Sequence, residues 1–254
     1  MKKILILGGG FAGVYTFLGL HKIYHGNPAV RIVMVNRTDY FLFTPLLHEV
    51  ATGSVSQENV VYNIRSILQC CLADFVKAEV VRVDVEKKQV TTSAGEISYD
   101  ILVYALGADT HFFSLSTEAR ARAMPLKTVQ DARAIKARMI ELCEQNCELS
   151  IVVVGGGPTG VETVAEIREY CAALIKVFHK NNARKETIYL VHAGDRLLPQ
   201  FHHSLGERAR LIIEQRGMRV MLKERVVDVE EGAVVLGSGA RIPANIVIWS
   251  AGVM

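Results

Sequence analysis

Apolar residues in this chain come in short runs closed by glycine, and the runs recur. Ile4-Leu5-Ile6-Leu7 follows Lys2-Lys3 and stops at Gly8-Gly9-Gly10, and Ile151-Val152-Val153-Val154 stops at Gly155-Gly156-Gly157. A four-residue apolar run bounded by such a turn predicts a buried strand. Behind each turn the period changes. Residues 14–24 and 161–178 carry apolar groups at helical spacing, the first stretch halted by Gly26-Asn27-Pro28. Further strands are predicted over 30–35, 75–83, 89–92, 101–105 and 187–191 and in a series within 219–242, with a polar turn over 91–96. Further helices are predicted over 129–147 and 206–217. Residues 110–118 read as a crossing between two halves, and the polar run 180–185 as a solvated loop.

Both turns have the spacing G-x-G-x-x-G: Gly8, Gly10 and Gly13 with Phe11 and Ala12 between, then Gly155, Gly157 and Gly160 with Thr159 in the same loop. In that spacing the first glycine permits the tight turn, the second lets a pyrophosphate approach the backbone, and the third lets the helix pack on the strand. Free N–H groups at the helix start, with the helix dipole behind them, make an anion site. Such a hexapeptide alone also simply ends strands. Here strand, turn and helix arrive in order, twice. The closing segments match as well. Asp100 to Gly107 and Asn245 to Gly252 are each one polar residue, an apolar strand and a small-residue turn ending in glycine. Matching starts, ends and lengths argue for duplicated dinucleotide-binding domains. The expected fold is α/β: two Rossmann-like domains, each with a parallel sheet and an antiparallel β-meander.

After the second strand of each unit, such a fold normally places an acid that holds the adenosine ribose. Here the positions are Asn36, followed by Arg37, and His192, with Arg196 nearby. Asparagine still bonds a hydroxyl, without charge. Histidine removes the acid's repulsion of a 2′-phosphate, so a relaxed NADH/NADPH preference is a hypothesis, beside the plainer reading that His192 simply bonds ribose.

Composition adds exclusions. Half of the 254 residues are hydrophobic, enough for two cores. A net charge of +3, with no basic stripe, argues against nucleic acid as a partner. No apolar run reaches bilayer-spanning length, and the apolar segment after Lys3 ends too early for a signal peptide, so a cytosolic location, or one at the cytosolic membrane face, is the default. Cys70, Cys71, Cys143, Cys147 and Cys171 form no C-x-x-C and have no histidine at zinc spacing, so no metal site is expected. They read as buried hydrophobes or idle thiols.

The stretch Tyr40-Phe41-Leu42-Phe43-Thr44-Pro45-Leu46-Leu47-His48-Glu49-Val50-Ala51-Thr52-Gly53 resembles the type II NADH dehydrogenases, single-subunit flavoprotein NADH:quinone oxidoreductases. The resemblance continues through 99–107, 125–128, both glycine turns, Arg196 to Pro199 and Ile248 to Val253, and so spans the chain. It implies an FAD-binding domain over 1–114 and an NAD(P)H-binding domain over 115–254. It implies hydride transfer from NADH to FAD and then electron transfer to a quinone, as in a non-proton-pumping respiratory enzyme. Carried over residue by residue, Gly8, Gly10, Phe11, Ala12, Gly13, Asn36, Arg37, Pro45, Leu46, Val80, Ala105 and Gly107 fall to FAD. Gly155, Gly157, Thr159, Gly160, His192, Ala251 and Gly252 fall to NADH, with NADPH tolerance the hypothesis above. Glu162 matches a position facing the nicotinamide, and is the catalytic candidate; as a helix first-turn acid it would serve the dipole instead, and Glu166 shares that ambiguity.

Disulfide-reducing relatives carry two redox cysteines near the flavin, whereas residues 39–53 have none. Electrons are therefore expected to leave directly for a diffusible acceptor. Two rivals stay open: a sulfide:quinone or ferredoxin-type reductase, and a non-catalytic nucleotide-binding remnant. In the family the chain returns to complete the FAD domain, then adds quinone-site residues and amphipathic helices that hold it at the inner face of the cell membrane. Here it stops at Met254, so a fragment of a longer peripheral membrane protein is expected, with a homodimer left open.

Overall fold

The computed structural model describes residues 1–69, 73–145, 147–178 and 186–252. Cys70, Cys71 and the polar run 180–185 lie outside the described residues. The chain separates into two compact units, Met1–Phe43 with Gln57–Ala108 and Thr44–Ser56 with Asp109–Met254. The expected partition at 114/115 differs from these units mainly in Thr44–Ser56, which groups with the later part of the chain.

The chain begins with strand β1 (Lys2–Leu7), helix α1 (Phe11–Tyr24) and strand β2 (Val30–Asn36). Strand β3 (Tyr40–Leu42) pairs antiparallel with β4 (Val61–Asn63), and the sequence between them includes helix α2 (Leu47–Thr52), which groups with the second unit. Helix α3 (Ile64–Ile67), β5 (Ala73–Lys77), the meander β6 (Val80–Asp84), β7 (Gln89–Thr92) and β8 (Gly95–Ser98), and the closing strand β9 (Ile101–Tyr104) complete the first unit. The order β5-β2-β1-β9 is parallel throughout.

The alternation in β1 sets the layers. Ile4 and Ile6 face Val14 and Phe17 of α1, with Ile32 and Met34 of β2; Leu5 and Leu7 face the meander side, with Val33, Val35, Val90 and Tyr99. Because successive side chains point to opposite faces, a run apolar at every position needs both faces covered. The helix covers one and the meander the other.

The second unit contains α4 (Thr117–Arg122), β10 (Met124–Pro125), α5 (Val129–Glu144), β11 (Ser150–Val154), α6 (Pro158–Phe178), β12 (Thr187–His192), α7 (His203–Gln215) and β13 (Arg219–Leu222). A meander β14 (Val226–Glu230), β15 (Ala233–Leu236), β16 (Arg241–Pro243) and the closing strand β17 (Ile246–Trp249) follow. Its parallel sheet has the order β10-β17-β11-β12-β13. Val152, Val154, Val191, Val247 and Trp249 pack with the meander residues Val229, Val234 and Leu236. Helices α5 and α6 pack on β17 and β11.

Several predicted boundaries are corrected. The strand expected over 75–83 is two strands, parted at Ala78-Glu79: β5 joins the parallel sheet and β6 the meander. There the Ala78 N–H donates to the Asn36 carbonyl at the end of β2, while the Glu79 N–H donates to Ser93 Oγ in the meander turn, so the chain leaves one sheet for the other between these two residues. The turn expected over 91–96 is confined to Ser93-Ala94, and Gly95 already starts β8. Helix α5 ends at Glu144 and leaves Cys147 outside it. Helix α1 starts at Phe11, α6 at Pro158 and α7 at His203, each about a turn earlier than the apolar period showed. Proline is suited to that first helical position, because its missing N–H would have had no intrahelical partner.

Candidate functional site

The repeat becomes physical at the two glycine turns. Gly8 has φ +106° and Gly155 φ +123°, a region closed to most side chains. The Gly8 N–H donates to the Val35 carbonyl at 2.8 Å and the Gly155 N–H to the Val191 carbonyl at 2.8 Å. A Cβ on Gly13 would lie 1.9 Å from the Gly8 oxygen, and one on Gly160 would lie 1.8 Å from the Gly155 oxygen. These glycines let each helix start touch its own strand end. The polar residue before each closing strand has a matching duty: Asp100 Oδ2 accepts from the Lys3 N–H at 2.7 Å, and Asn245 Oδ1 from the Ser150 N–H at 2.9 Å.

Gly10 and Gly157 behave differently. A Cβ on either would meet nothing within 4 Å. Packing therefore gives no reason for glycine there, whereas close approach of a ligand to the backbone does. Neither α1 nor α6 has an acid in its first turn, which leaves the positive end of each helix unneutralised. This is the fit expected of a pyrophosphate group in each unit.

The two residues expected at the ribose positions hold the turns. Asn36 Oδ1 accepts from the Gly9 N–H at 2.9 Å, and His192 Nδ1 accepts from the Gly156 N–H at 3.1 Å. The Asn36 amide donates to the Thr38 carbonyl at 2.9 Å and to Thr38 Oγ1 at 3.1 Å. Both its donors are thus engaged, leaving one lone pair of Oδ1 for a hydroxyl. Burial pushes the His192 pKa down, against the opposing pull of Asp195.

The buried Ala105 has its carbonyl against Gly8, Gly107 adopts φ +78°, Val80 starts β6 half-buried, and Phe11 and Ala12 open α1, while Arg37 is exposed. Pro45 and Leu46 fall in a short 3₁₀ turn, Thr44–Leu46, of the second unit.

Two cavities of the second unit share Trp249, Ser250 and Gly252 as wall. The first, of about 300 Å³, is lined by the glycine turn with His192, Ala251, Glu224, Arg225 and Phe113. The second, of about 360 Å³, is lined by Thr44, Pro45, Lys127, Thr159 and Glu162. Gly160 and Thr163 lie on the buried side of α6. Glu162 is in the second turn, since α6 begins at Pro158, so the first-turn reading of this acid is corrected. Its side chain is half exposed to the second cavity, and its Oε2 lies 3.8 Å from His48 Nδ1. Glu166 is occupied otherwise: its Oε2 accepts from Ser54 Oγ at 2.9 Å and from Thr52 Oγ1 at 3.3 Å, tying α2 to α6.

Sequence reasoning nominated Arg196 as the cation near the ribose position, but its guanidinium donates to the Pro199 carbonyl at 2.8 Å. The basic residue lining the first cavity is Arg225, which the sequence reading missed. The repeat held the signal. Arg225 precedes β14 as Glu79 precedes β6, and Val80 is among the residues that the resemblance gives to FAD. Among the thiols, Cys143 and Cys171 are buried and their pKa values pushed up by burial, while Cys147 is half-buried.

Comparison with known proteins agrees with this geometry. The sequence model described as pyridine nucleotide-disulphide oxidoreductase matches residues 2–254. The chain is 30% identical over 263 residues to the type II NADH:quinone oxidoreductase of Staphylococcus saprophyticus, and 31% identical over 265 residues to that of Staphylococcus aureus. Each match covers 99% of this chain and 65% of the relative. A structure of NDH2 from Plasmodium falciparum in complex with NADH superposes with a TM-score of 0.89 at 25% identity, over 99% of this chain and 55% of that one.

Proposed function

The chain belongs to the pyridine nucleotide-disulphide oxidoreductase family, and from that premise we propose that it is the nucleotide-binding part of an FAD-dependent NADH:quinone oxidoreductase. The first unit takes FAD and the second NADH. The observation carrying this reading is the pair of near-identical glycine turns, each with one glycine, Gly10 or Gly157, that packing does not require. Similarity to relatives named type II NADH:quinone oxidoreductase supports the choice of quinone as acceptor. The chain spans 65% of those relatives' length, so the quinone site, attachment at the inner face of the membrane and homodimer formation belong to the proposal. Among the described residues, no helix is long and apolar enough to cross a membrane.

The flavin would supply the hydride chemistry, accepting two electrons from the nicotinamide and passing them on. The protein's part is position and electrostatics. N–H groups at the start of α6 meet the pyrophosphate, and His192 and Arg225 flank the adenosine end in the first cavity. Ser250 and Gly252 border both cavities, so one extended dinucleotide can occupy them together. Glu162 then borders the nicotinamide end, its carboxylate backed by His48. Replacing the usual acid by His192 removes a negative charge from a 2′-phosphate's path, and Arg225 offers it a partner.

The test is the visible spectrum of the purified chain, taken after loading with FAD and removing the excess. Retained flavin bands that bleach on addition of NADH are expected. A protein that stays colourless would refute flavin binding by these residues.

A further inference from the structure

We infer that His192 is a proton-sensitive latch on the pyridine-nucleotide turn: neutral, it holds the Gly156 N–H, and protonated, it releases that turn and weakens dinucleotide binding. The inference rests on the reading of the second unit as a dinucleotide site, and adds a residue function that the ribose position does not imply.

The argument starts from the bond itself. Gly156 N lies 3.1 Å from His192 Nδ1, and a backbone N–H can only donate. Nδ1 must therefore carry a lone pair, which places the single proton of the neutral ring on Nε2. An imidazolium has N–H groups at both nitrogens, so protonation sets two donors against each other across 3.1 Å. The ring has little room to turn away. A Cβ on Gly156 would come within 2.6 Å of its Cγ, and a Cβ on Gly194 within 2.6 Å of its Nε2, so both glycines already stand close against it. The main chain on either side is tied down: His192 pairs with Leu222 in the sheet, and its carbonyl accepts from the Glu224 N–H at 3.2 Å. Relief must come from the turn. Gly156 is followed by Gly157, the backbone that a pyrophosphate would approach, so losing this anchor disturbs the N–H groups meant for the ligand.

The charged groups around the ring are few. Asp195 acts on it from its own loop, and Glu224 and Arg225 line the same cavity from the loop between β13 and β14. The glycine turn and the Ser250–Gly252 turn bring no titratable side chain. Asp195 favours the imidazolium and burial favours the neutral ring; burial prevails and holds the group below the ordinary histidine range.

The first unit contains a built-in control. Asn36 holds the Gly9 N–H in the same way, at 2.9 Å, through an amide that does not titrate. Acid should therefore loosen the second turn and leave the first unaffected.

The test is calorimetric titration of ADP-ribose, which survives acid, into the wild-type chain and into His192→Asn between pH 8 and pH 5. In the wild type, the Kd is expected to rise as pH falls, by roughly tenfold per pH unit below the midpoint, the slope for one proton excluded from the complex. In His192→Asn the profile should flatten, because the amide copies Asn36. Independently of that variant's folding, ¹⁵N spectra of histidine-labelled wild type should show the Nε2–H tautomer at pH 8. An equal acid loss in His192→Asn, a flat wild-type profile, or a neutral ring protonated at Nδ1 would each overturn the latch while leaving the dinucleotide site standing. Absence of ADP-ribose binding by the wild type at pH 8 would overturn the site reading, and the latch with it.

Discussion

The two kinds of glycine in the second turn should respond oppositely to the same substitution. In Gly160→Ala the new methyl would sit 1.8 Å from the Gly155 carbonyl oxygen and 2.9 Å from Ser250 Oγ. An ordinary contact needs at least about 1.6 Å more than the first of these distances. Gly155 cannot yield easily, because its N–H is bonded to Val191 and the adjoining Val154 carbonyl accepts from both the N–H and the hydroxyl of Ser250. The start of α6 must instead lift off β11. Overpacking of this kind against backbone costs about 3 kcal/mol, the upper end of the usual range. At about 2–4 °C per kcal/mol for a chain of this size, the melting temperature should fall by about 6–12 °C. Gly157→Ala places its methyl where nothing lies within 4 Å, at a residue outside the left-handed region. Its stability should stay within about 0.5 kcal/mol of wild type, or about 2 °C. On the proposed reading the methyl occupies the approach of the pyrophosphate, so the Kd for NADH should rise by at least about tenfold, or about 1.4 kcal/mol. Thermal scans without ligand and fluorescence titration with NADH separate the effects. Unchanged NADH affinity in Gly157→Ala would refute the phosphate contact, and a loss of stability equal to that of Gly160→Ala would refute the packing argument.

Two further outcomes are expected. NADPH should bind within about tenfold of NADH, and Arg225→Ala should weaken NADPH selectively by about 1 kcal/mol, a value discounted for the arginine's exposure; equal losses for both nucleotides would remove Arg225 from the 2′-phosphate. Iodoacetamide at pH 8 should label Cys147 and spare Cys143 and Cys171 until denaturant is added, because burial both covers those two thiols and raises their pKa values, reducing the reactive thiolate. Mass mapping of a Cys171 that reacts as fast as Cys147 would contradict this.

The sequence by itself determined the duplicated α/β architecture. Strand cores such as Ile4–Leu7 and Ile151–Val154 are apolar at every position because both faces of a parallel sheet are covered, and that pattern is local. The glycine spacings were legible for the same reason: each turn and helix start is built from about ten consecutive residues. The resemblance carried by residues 40–53 pointed to the family, and the family match followed.

Tertiary structure decided what depends on residues distant in sequence. A run of β-formers over 75–83 does not say that Ala78 answers to Asn36 while Glu79 answers to Ser93, since hydrogen-bond partners 42 and 14 residues away leave no local period. Residues 44–56 belong with the second unit because α2 packs on α5 and α6, with Thr52 and Ser54 bonded to a glutamate more than a hundred positions later. Arg225, rather than Arg196, lines the cavity because the loop between β13 and β14 enters it and the Arg196 head group is engaged by Pro199. The anchoring of the glycine turns by Asn36 and His192 was likewise invisible in the chain. An end-of-strand side chain points at a possible ligand in any such fold, but only the folded distance to Gly9 or Gly156 shows that it also holds the turn on which the ligand would rest.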